Sequence, residues 1–209
     1  HSVLPNPNSR LKKIVQSIAK KVACIIVMNN LAINILRKDY NIKTDITVIP
    51  HGIPSVTFNS NTKEKIKIGY QDKIILSSFG LMNKGKGYEY VIEALPEIIK
   101  KFPNVLYLIM GETHPSVRKE EGEKYRNFLE EKVKKLGLLK NVKFYNKYLS
   151  LKEIIKYLKV TDLYICSNTN PDQITSGTLA YAMCCGRAIV STSFLHAKEA
   201  ITHKTGLLT

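Results

Sequence analysis

A chain of 209 residues, 44% hydrophobic and 23% charged, is long enough to bury a core as one to one-and-a-half domains and is too apolar to be disordered. No apolar run approaches the ~20 residues that span a bilayer, no signal-peptide pattern is present, and Cys24, Cys166, Cys184 and Cys185 lack metal-ligand spacing, so the expectation is a metal-free cytoplasmic protein with reduced thiols. The net charge of +15 favours anionic partners, but only five of the 32 basic residues are Arg and a Lys-, Ile- and Asn-rich genome accounts for the excess equally well.

The chain opens at His1 in mid-pattern and closes on Gly206-Leu207-Leu208-Thr209 as a strand run ends, and it reads as a piece of a longer protein. Leu11, Ile14, Val15, Ile18, Ala19 and Val22 recur at helical spacing opposite a row of lysines, with Ser9 as the expected cap. A strand over 23–28, a helix over 29–39 and a strand over 46–49 follow. Pro50-His51-Gly52-Ile53-Pro54 breaks the pattern, and 54–65 reads as a polar linker between an N-terminal tail (1–53) and a second domain (66–209). Beyond it strands are expected at 73–78, 105–110, 142–144, 163–166, 188–192 and 206–208. Helices are expected over 88–102, 118–136, 151–160 and from Ser176. Short apolar strands alternating with amphipathic helices predict an α/β fold: a doubly wound, Rossmann-like parallel sheet with ligands at the carboxyl ends of its strands.

Chemistry should therefore gather in the loops that follow strands. Asp172-Gln173-Ile174-Thr175-Ser176-Gly177-Thr178 opens a helix, whose free N–H groups and dipole suit an anion, usually a phosphate; a plain capped crossover helix is the alternative. Gly80-Leu81-Met82-Asn83-Lys84-Gly85-Lys86 has the spacing of a Walker loop, but Gly87 stands where Ser or Thr would hold magnesium. A glycine turn presenting Lys86 to a phosphate fits better than a nucleotide hydrolase, and a solvated lysine at a helix start is the plain alternative. His114 follows the next strand, and Asn146 and Lys147 a third, where they are placed to edge a base or sugar.

These segments together resemble the group 1, family 4-like retaining glycosyltransferases of the GT-B fold. Val48-Ile49-Pro50-His51-Gly52-Ile53 is similar to the strand and hinge leaving the N-terminal domain of that family. Phe79-Gly80-Leu81 through Lys86-Gly87 is similar to its Gly-Arg-Leu…Glu-Lys-Gly turn. Val105–Gly111 resembles its next strand and glycine turn, Thr161-Asp162-Leu163-Tyr164 its Ala-Asp-Val strand start, and Ala182-Met183…Gly186 with Ala188–Thr192 its Glu-Ala-Met-Ala-x-Gly-x-Pro-Val-Val segment. The resemblance implies that 66–209 bind a nucleotide-diphosphate sugar and that 1–53 end an acceptor-side domain. It also implies that a hexose passes with retention to an acceptor hydroxyl on a carbohydrate or lipid-linked molecule. Lys86, Gln173 and His1 would be catalytic. Gly80, Leu81, Gly85, His114, Asn146, Lys147, Asp172, Thr175, Ser176, Gly177, Thr178 and Tyr181 would hold the donor.

The family's diphosphate-binding Arg corresponds to Leu81, and its two Glu, one for the sugar and one for the ribose, to Gln173 and Tyr181, which carry no negative charge. Asp172 is placed to supply one. The leaving diphosphate would rest on Lys86 and backbone amides in a dry cleft. No Asp-x-Asp sequence exists, in keeping with a reaction that needs no divalent metal or other cofactor. The lost carboxylate and arginine leave a non-catalytic sugar-nucleotide binder as the alternative. A nucleic-acid partner is not expected, because the eleven tyrosines are scattered and arginine is scarce. A sugar-nucleotide epimerase would want a carboxylate-rich site. The lysine-faced helix over 10–21 would suit peripheral contact with an anionic membrane at the inner face, or packing on the adjacent strand.

Overall fold

The computed structural model describes residues 3–58 and 60–209. Helix α1 (Ser9–Ala19), strand β1 (Cys24–Val27), helix α2 (Asn30–Lys38) and strand β2 (Asp45–Val48) make an N-terminal unit with β1 and β2 paired in parallel. Segment 49–58 runs without regular structure to helix α3 (Asn61–Lys67). Then come β3 (Ile74–Phe79), α4 (Tyr88–Lys101), β4 (Val105–Met110), α5 (Pro115–Glu121), α6 (Lys124–Lys135), β5 (Val142–Tyr145), α7 (Leu151–Val160) and β6 (Leu163–Cys166). The chain ends with α8 (Gly177–Cys184), β7 (Ala188–Ser191), α9 (Leu195–Ala200) and β8 (Gly206–Leu208). Strands β3 to β8 form one parallel sheet in the order β5-β4-β3-β6-β7-β8. The doubly wound α/β fold expected from the sequence is the fold observed.

Period two decides the two faces of this sheet. Ile75, Leu106, Leu108 and Met110 join one buried cluster with Tyr164, Leu179 and Phe194; Leu76, Val105, Tyr107 and Ile109 join another with Ile92 and Leu129. Each such side chain taken out of water contributes roughly 1.5–3 kcal/mol. The two buried serines of β3 are paired: the Ser77 hydroxyl lies 2.8 Å from that of Thr161, and the Ser78 hydroxyl 2.8 Å from that of Tyr107. Because β6 returns to lie beside β3, the order reverses between those two strands, and the carboxyl ends flanking such a switch are where open parallel sheets bind ligands.

Several expectations are corrected. Asn8, not Ser9, caps α1, its side chain accepting from the Leu11 N–H. The apolar stripe of α1 is divided: Ala19 is buried and Leu11 and Val15 pack on the N-terminal core, while Ile14, Ile18 and Val22 are exposed. The single helix expected over 118–136 is two, because Gly122 takes φ 64° and ψ −134° between α5 and α6. The expected linker already contains helix α3, which Asp162 anchors by accepting from Asn61 Nδ2 at 2.5 Å and pairing with Lys65 Nζ at 2.5 Å. Among the described residues no helix is long and apolar enough to cross a membrane.

Candidate functional site

The loop after β3 is stapled in place by its own backbone. Gly80 N–H donates to Met110 O at 2.9 Å and Met82 N–H to Glu112 O at 2.8 Å. Gly111 has φ 132°, and a Cβ there would lie 2.0 Å from Gly80 O, so only glycine lets the β3 and β4 loops touch. On the other side Thr169 N–H donates to Gly85 O at 3.0 Å and the Ser167 hydroxyl to Lys86 O at 2.7 Å. Gly87, at φ 61°, brings the turn so close that a Cβ would meet Ser167 O at 2.3 Å.

Lys86 is thereby held over the switch between β3 and β6. A Cβ on Gly80 would touch Lys86 Nζ at 3.7 Å and Thr178 Cγ2 at 3.3 Å, which places the ammonium against the first turn of α8. No carboxylate or other hydrogen-bond partner meets Lys86 Nζ among the described residues, and burial pushes its pKa down, with the nearby Cys166 thiol opposing. A void of about 10 Å³ borders Lys86, Cys166, Thr178 and Tyr88, enough for one water at most. The Tyr88 hydroxyl is buried without a partner among the described residues.

Helix α8 starts as the sequence suggests. Ser176 is its N-cap, the hydroxyl accepting from Leu179 N–H at 3.3 Å, and neither Gly177 N–H nor Thr178 N–H has a partner among the described residues. Ser176 N–H donates to His196 Nδ1 at 2.8 Å. The preceding loop is tied to the N-terminal unit: Asn29 Nδ2 donates to Ile174 O, and Ile174 sits in the N-terminal core. The Glu199 carboxylate accepts from Asn30 N–H at 2.9 Å and Leu31 N–H at 3.1 Å, holding α9 on the first turn of α2.

The other sequence candidates divide. Gln173 curls onto its own loop, Nε2 donating to Thr175 O at 3.0 Å, while Asp172 is exposed. Tyr181 packs against His51 and Phe79, ring centroids 5.8 Å and 6.3 Å away. Leu81 lines a crevice of about 120 Å³ with Phe79, Gly80, Gly111, Tyr148 and Leu149. Asn146 donates instead to Glu130 at 3.2 Å and Lys147 to Glu153 at 2.5 Å, both on the exposed surface. His114 caps α5, Nδ1 accepting from Ser116 N–H at 3.2 Å, and lines an open groove with Lys84 and Gly85. His1 lies outside the described residues. The sequence motifs do not single out His51, His196 or Tyr148 as site residues; the break at Pro50-His51-Gly52 marks the first, and no local signal marks the others. A larger cavity of about 510 Å³ among Ile74, Leu76, Val91, Ile98 and Val190 extends to Cys166 and Ser167 beside the Lys86 turn, and none of its described lining residues is charged.

The model of one family, described as glycosyl transferases group 1, matches residues 59–209. The chain belongs to that family. An uncharacterized glycosyltransferase of Methanocaldococcus jannaschii is 28% identical over 194 residues, covering 91% of this chain and 46% of the relative. This group 1 chain thus spans about half the length of the curated relative it matches. Among solved structures, HepE of Anabaena in complex with UDP superposes with a TM-score of 0.81 at 20% identity, covering 100% of this chain and 56% of that one. The C-terminal domain of the group 1 protein LpcC of Francisella tularensis does so at 0.64 and 23% identity, covering 76% of this chain and 80% of that one. At such identities the likeness shows the fold, which is the GT-B type inferred from the sequence motifs.

Proposed function

We propose that this chain is the donor-binding half of a glycosyltransferase that moves a hexose from a nucleotide-diphosphate sugar to an acceptor hydroxyl, with retention and without a divalent metal. The carrying observation is Lys86: an ammonium with no carboxylate partner among the described residues, partly desolvated, sharing a small void with Thr178 of the first turn of α8 at the sheet's switch point. A buried cation without a partner is costly, and an anion arriving there removes the cost. As the glycosidic bond breaks, charge grows on the diphosphate, and Lys86 with the α8 dipole lies where that charge would be stabilised. The crevice walled by Tyr148, Leu149 and the Gly111 backbone fits a flat base. Support also comes from HepE, solved with UDP and with UDP-glucose.

Residues 1–53 as the end of an acceptor-side domain, a carbohydrate or lipid-linked acceptor, a cytoplasmic location and contact with an anionic membrane belong to the same reading. A non-catalytic nucleotide binder is the second reading. Tyr181, packed on His51 and Phe79 where the family's ribose carboxylate is expected, favours it. Calorimetric titration of the chain with UDP, GDP and ADP and their glucose conjugates, with chelator present, tests the first part. Micromolar to low-millimolar binding of one diphosphate, weakened in Lys86→Ala, is expected; binding of none overturns the reading. Transfer by the whole protein that carries this chain, with the product's anomeric configuration read by NMR, separates enzyme from binder.

A further inference from the structure

Tyr88 is the first residue of α4, one place beyond Gly87, and its ring is buried in the cluster of Leu76, Tyr107 and Ile92. Burial pushes the phenol pKa up, so Tyr88 stays protonated and has a proton to donate. Its neighbours in that cluster have partners: Tyr107 meets the Ser78 hydroxyl at 2.8 Å, and Tyr125 donates to Glu89. The Tyr88 hydroxyl is buried with none among the described residues, a costly arrangement for a polar group. Tyr88 also lines the void of about 10 Å³ that Lys86, Cys166, Thr178 and Ser78 border. The Cys166 thiol acts on the charge of both the phenol and the Lys86 ammonium, which places the two head groups near the same sulfur.

We infer that this void is a site for one bound water accepting from both the Tyr88 hydroxyl and the Lys86 ammonium, and that Tyr88 thereby positions Lys86 for the donor's diphosphate. The second part rests on the donor reading above. Volume and charge choose the occupant. A space of about 10 Å³ takes one water and no more, and the ammonium repels a cation. A water's two lone pairs match the two donors, and the Thr178 hydroxyl and Cys166 sulfur in the lining can accept its protons. Such a water engages one of the three ammonium protons without cancelling the charge, and leaves two for a ligand. A carboxylate in its place would also hold the lysine but would neutralise it, as Glu153 does for Lys147. Tyr88 is thus a positioning residue, acting on the ligand through Lys86.

The first measurement needs no nucleotide. A high-resolution crystal structure of the whole protein that carries this chain is expected to show a solvent peak within hydrogen-bonding distance of Tyr88 Oη and Lys86 Nζ, and Tyr88→Phe is expected to lose it. Nitrogen NMR should find the Lys86 ammonium titrating at lower pH in Tyr88→Phe than in the wild type, one of its acceptors having gone. A dry void, a Tyr88 hydroxyl bonded directly to protein, or an unmoved ammonium would overturn the inference and leave the donor reading standing. The second measurement separates positioning from packing. For whichever base binds, Tyr88→Phe should weaken the nucleoside diphosphate roughly three- to tenfold and leave the nucleoside within about twofold, the size of one water-mediated hydrogen bond. A hydroxyl with no water to meet behaves in the opposite way: its removal raises the unfolding midpoint and leaves both affinities alone, and that result would overturn the inference. An equal loss for nucleoside and diphosphate would assign Tyr88 to packing alone. Binding of no nucleotide by the wild type would overturn the donor reading and the role of Tyr88 towards a diphosphate, with the solvent peak still deciding the water site.

Discussion

Two lysines stand in loops on the same edge of the sheet, Lys86 after β3 and Lys147 after β5, and their surroundings differ in each respect that matters to a ligand. Lys147 is exposed and paired with Glu153 at 2.5 Å, and that partner raises its pKa. Lys86 is partly buried against glycine backbone, has no acid beside it among the described residues, and its pKa is lowered by burial. The first charge is already neutralised by the protein and by water; the second has no such partner among the described residues. Position after a strand marks both residues as candidates, and desolvation without pairing separates them.

The sharpest way to break this contrast is to move the loop that buries Lys86. Gly87→Ala introduces a Cβ 2.3 Å from Ser167 O and 3.1 Å from Thr169 Cγ2 at φ 61°. A loss of about 2–4 kcal/mol in denaturant unfolding is expected, with nucleotide binding lost alongside. Lys86→Met keeps the volume and removes the charge. Affinity for a nucleoside diphosphate should fall roughly a hundredfold while the unfolding midpoint stays or rises, because a desolvated ammonium no longer has to be buried. A midpoint that falls with the affinity would mean that Lys86 supports the loop and does not serve a ligand.

Much of this molecule is legible in its amino-acid sequence. The strand of Val105–Met110 has the bounds that its apolar run gives, and Ser176 caps α8 where the Ser-Gly-Thr sequence places the helix start. Local periodicity and capping chemistry suffice for such elements because their partners lie one turn or one strand away. The features that the sequence hides depend on partners distant along the chain. Helix α3 forms in a polar stretch because Asn61 and Lys65 both reach Asp162, about a hundred residues on. His196 enters the site only because α9 folds back to accept a hydrogen bond from Ser176 N–H. Asn146 and Lys147 follow a strand end as expected, but Glu130 and Glu153 engage them, and no local pattern announces that pairing.

His196 offers a subtler lever on the same helix. Burial lowers its pKa below the ordinary 6.5, Glu199 opposes this and His51 adds to it. The unfolded chain therefore binds this proton first. The stability that neutral His196 contributes is complete above pH 6.5 and declines as pH falls through and below that value. Protonated Nδ1 also cannot accept from Ser176 N–H. Between pH 7 and 5 a fall of at most about 1 kcal/mol, moderated by partial exposure, is expected from this group. His196→Asn keeps an acceptor near the same place and should flatten that part of the profile; an unchanged wild-type slope would mean that other groups set it.

The smallest effects belong to the exposed pair, and they sharpen the comparison by their smallness. Lys147→Ala should leave nucleotide affinity within about twofold, since an exposed ion pair of this kind directs no charge at a ligand. Its visible consequence is local. Glu153 completes the capping box of α7 with Ser150, and its carboxyl is held at about 2, first by Lys147 and then by the Ser150 backbone and hydroxyl. A depressed carboxyl contributes stability that is present above its ordinary 4.5 and is lost as pH falls towards 2. Without Lys147, the Glu153 titration followed by carbon NMR should move up towards 4.5, and acid fraying of α7 should begin at higher pH. A carboxyl that stays put would assign the depression to the cap alone, and a large loss of nucleotide affinity would put Lys147 in the donor site beside Lys86.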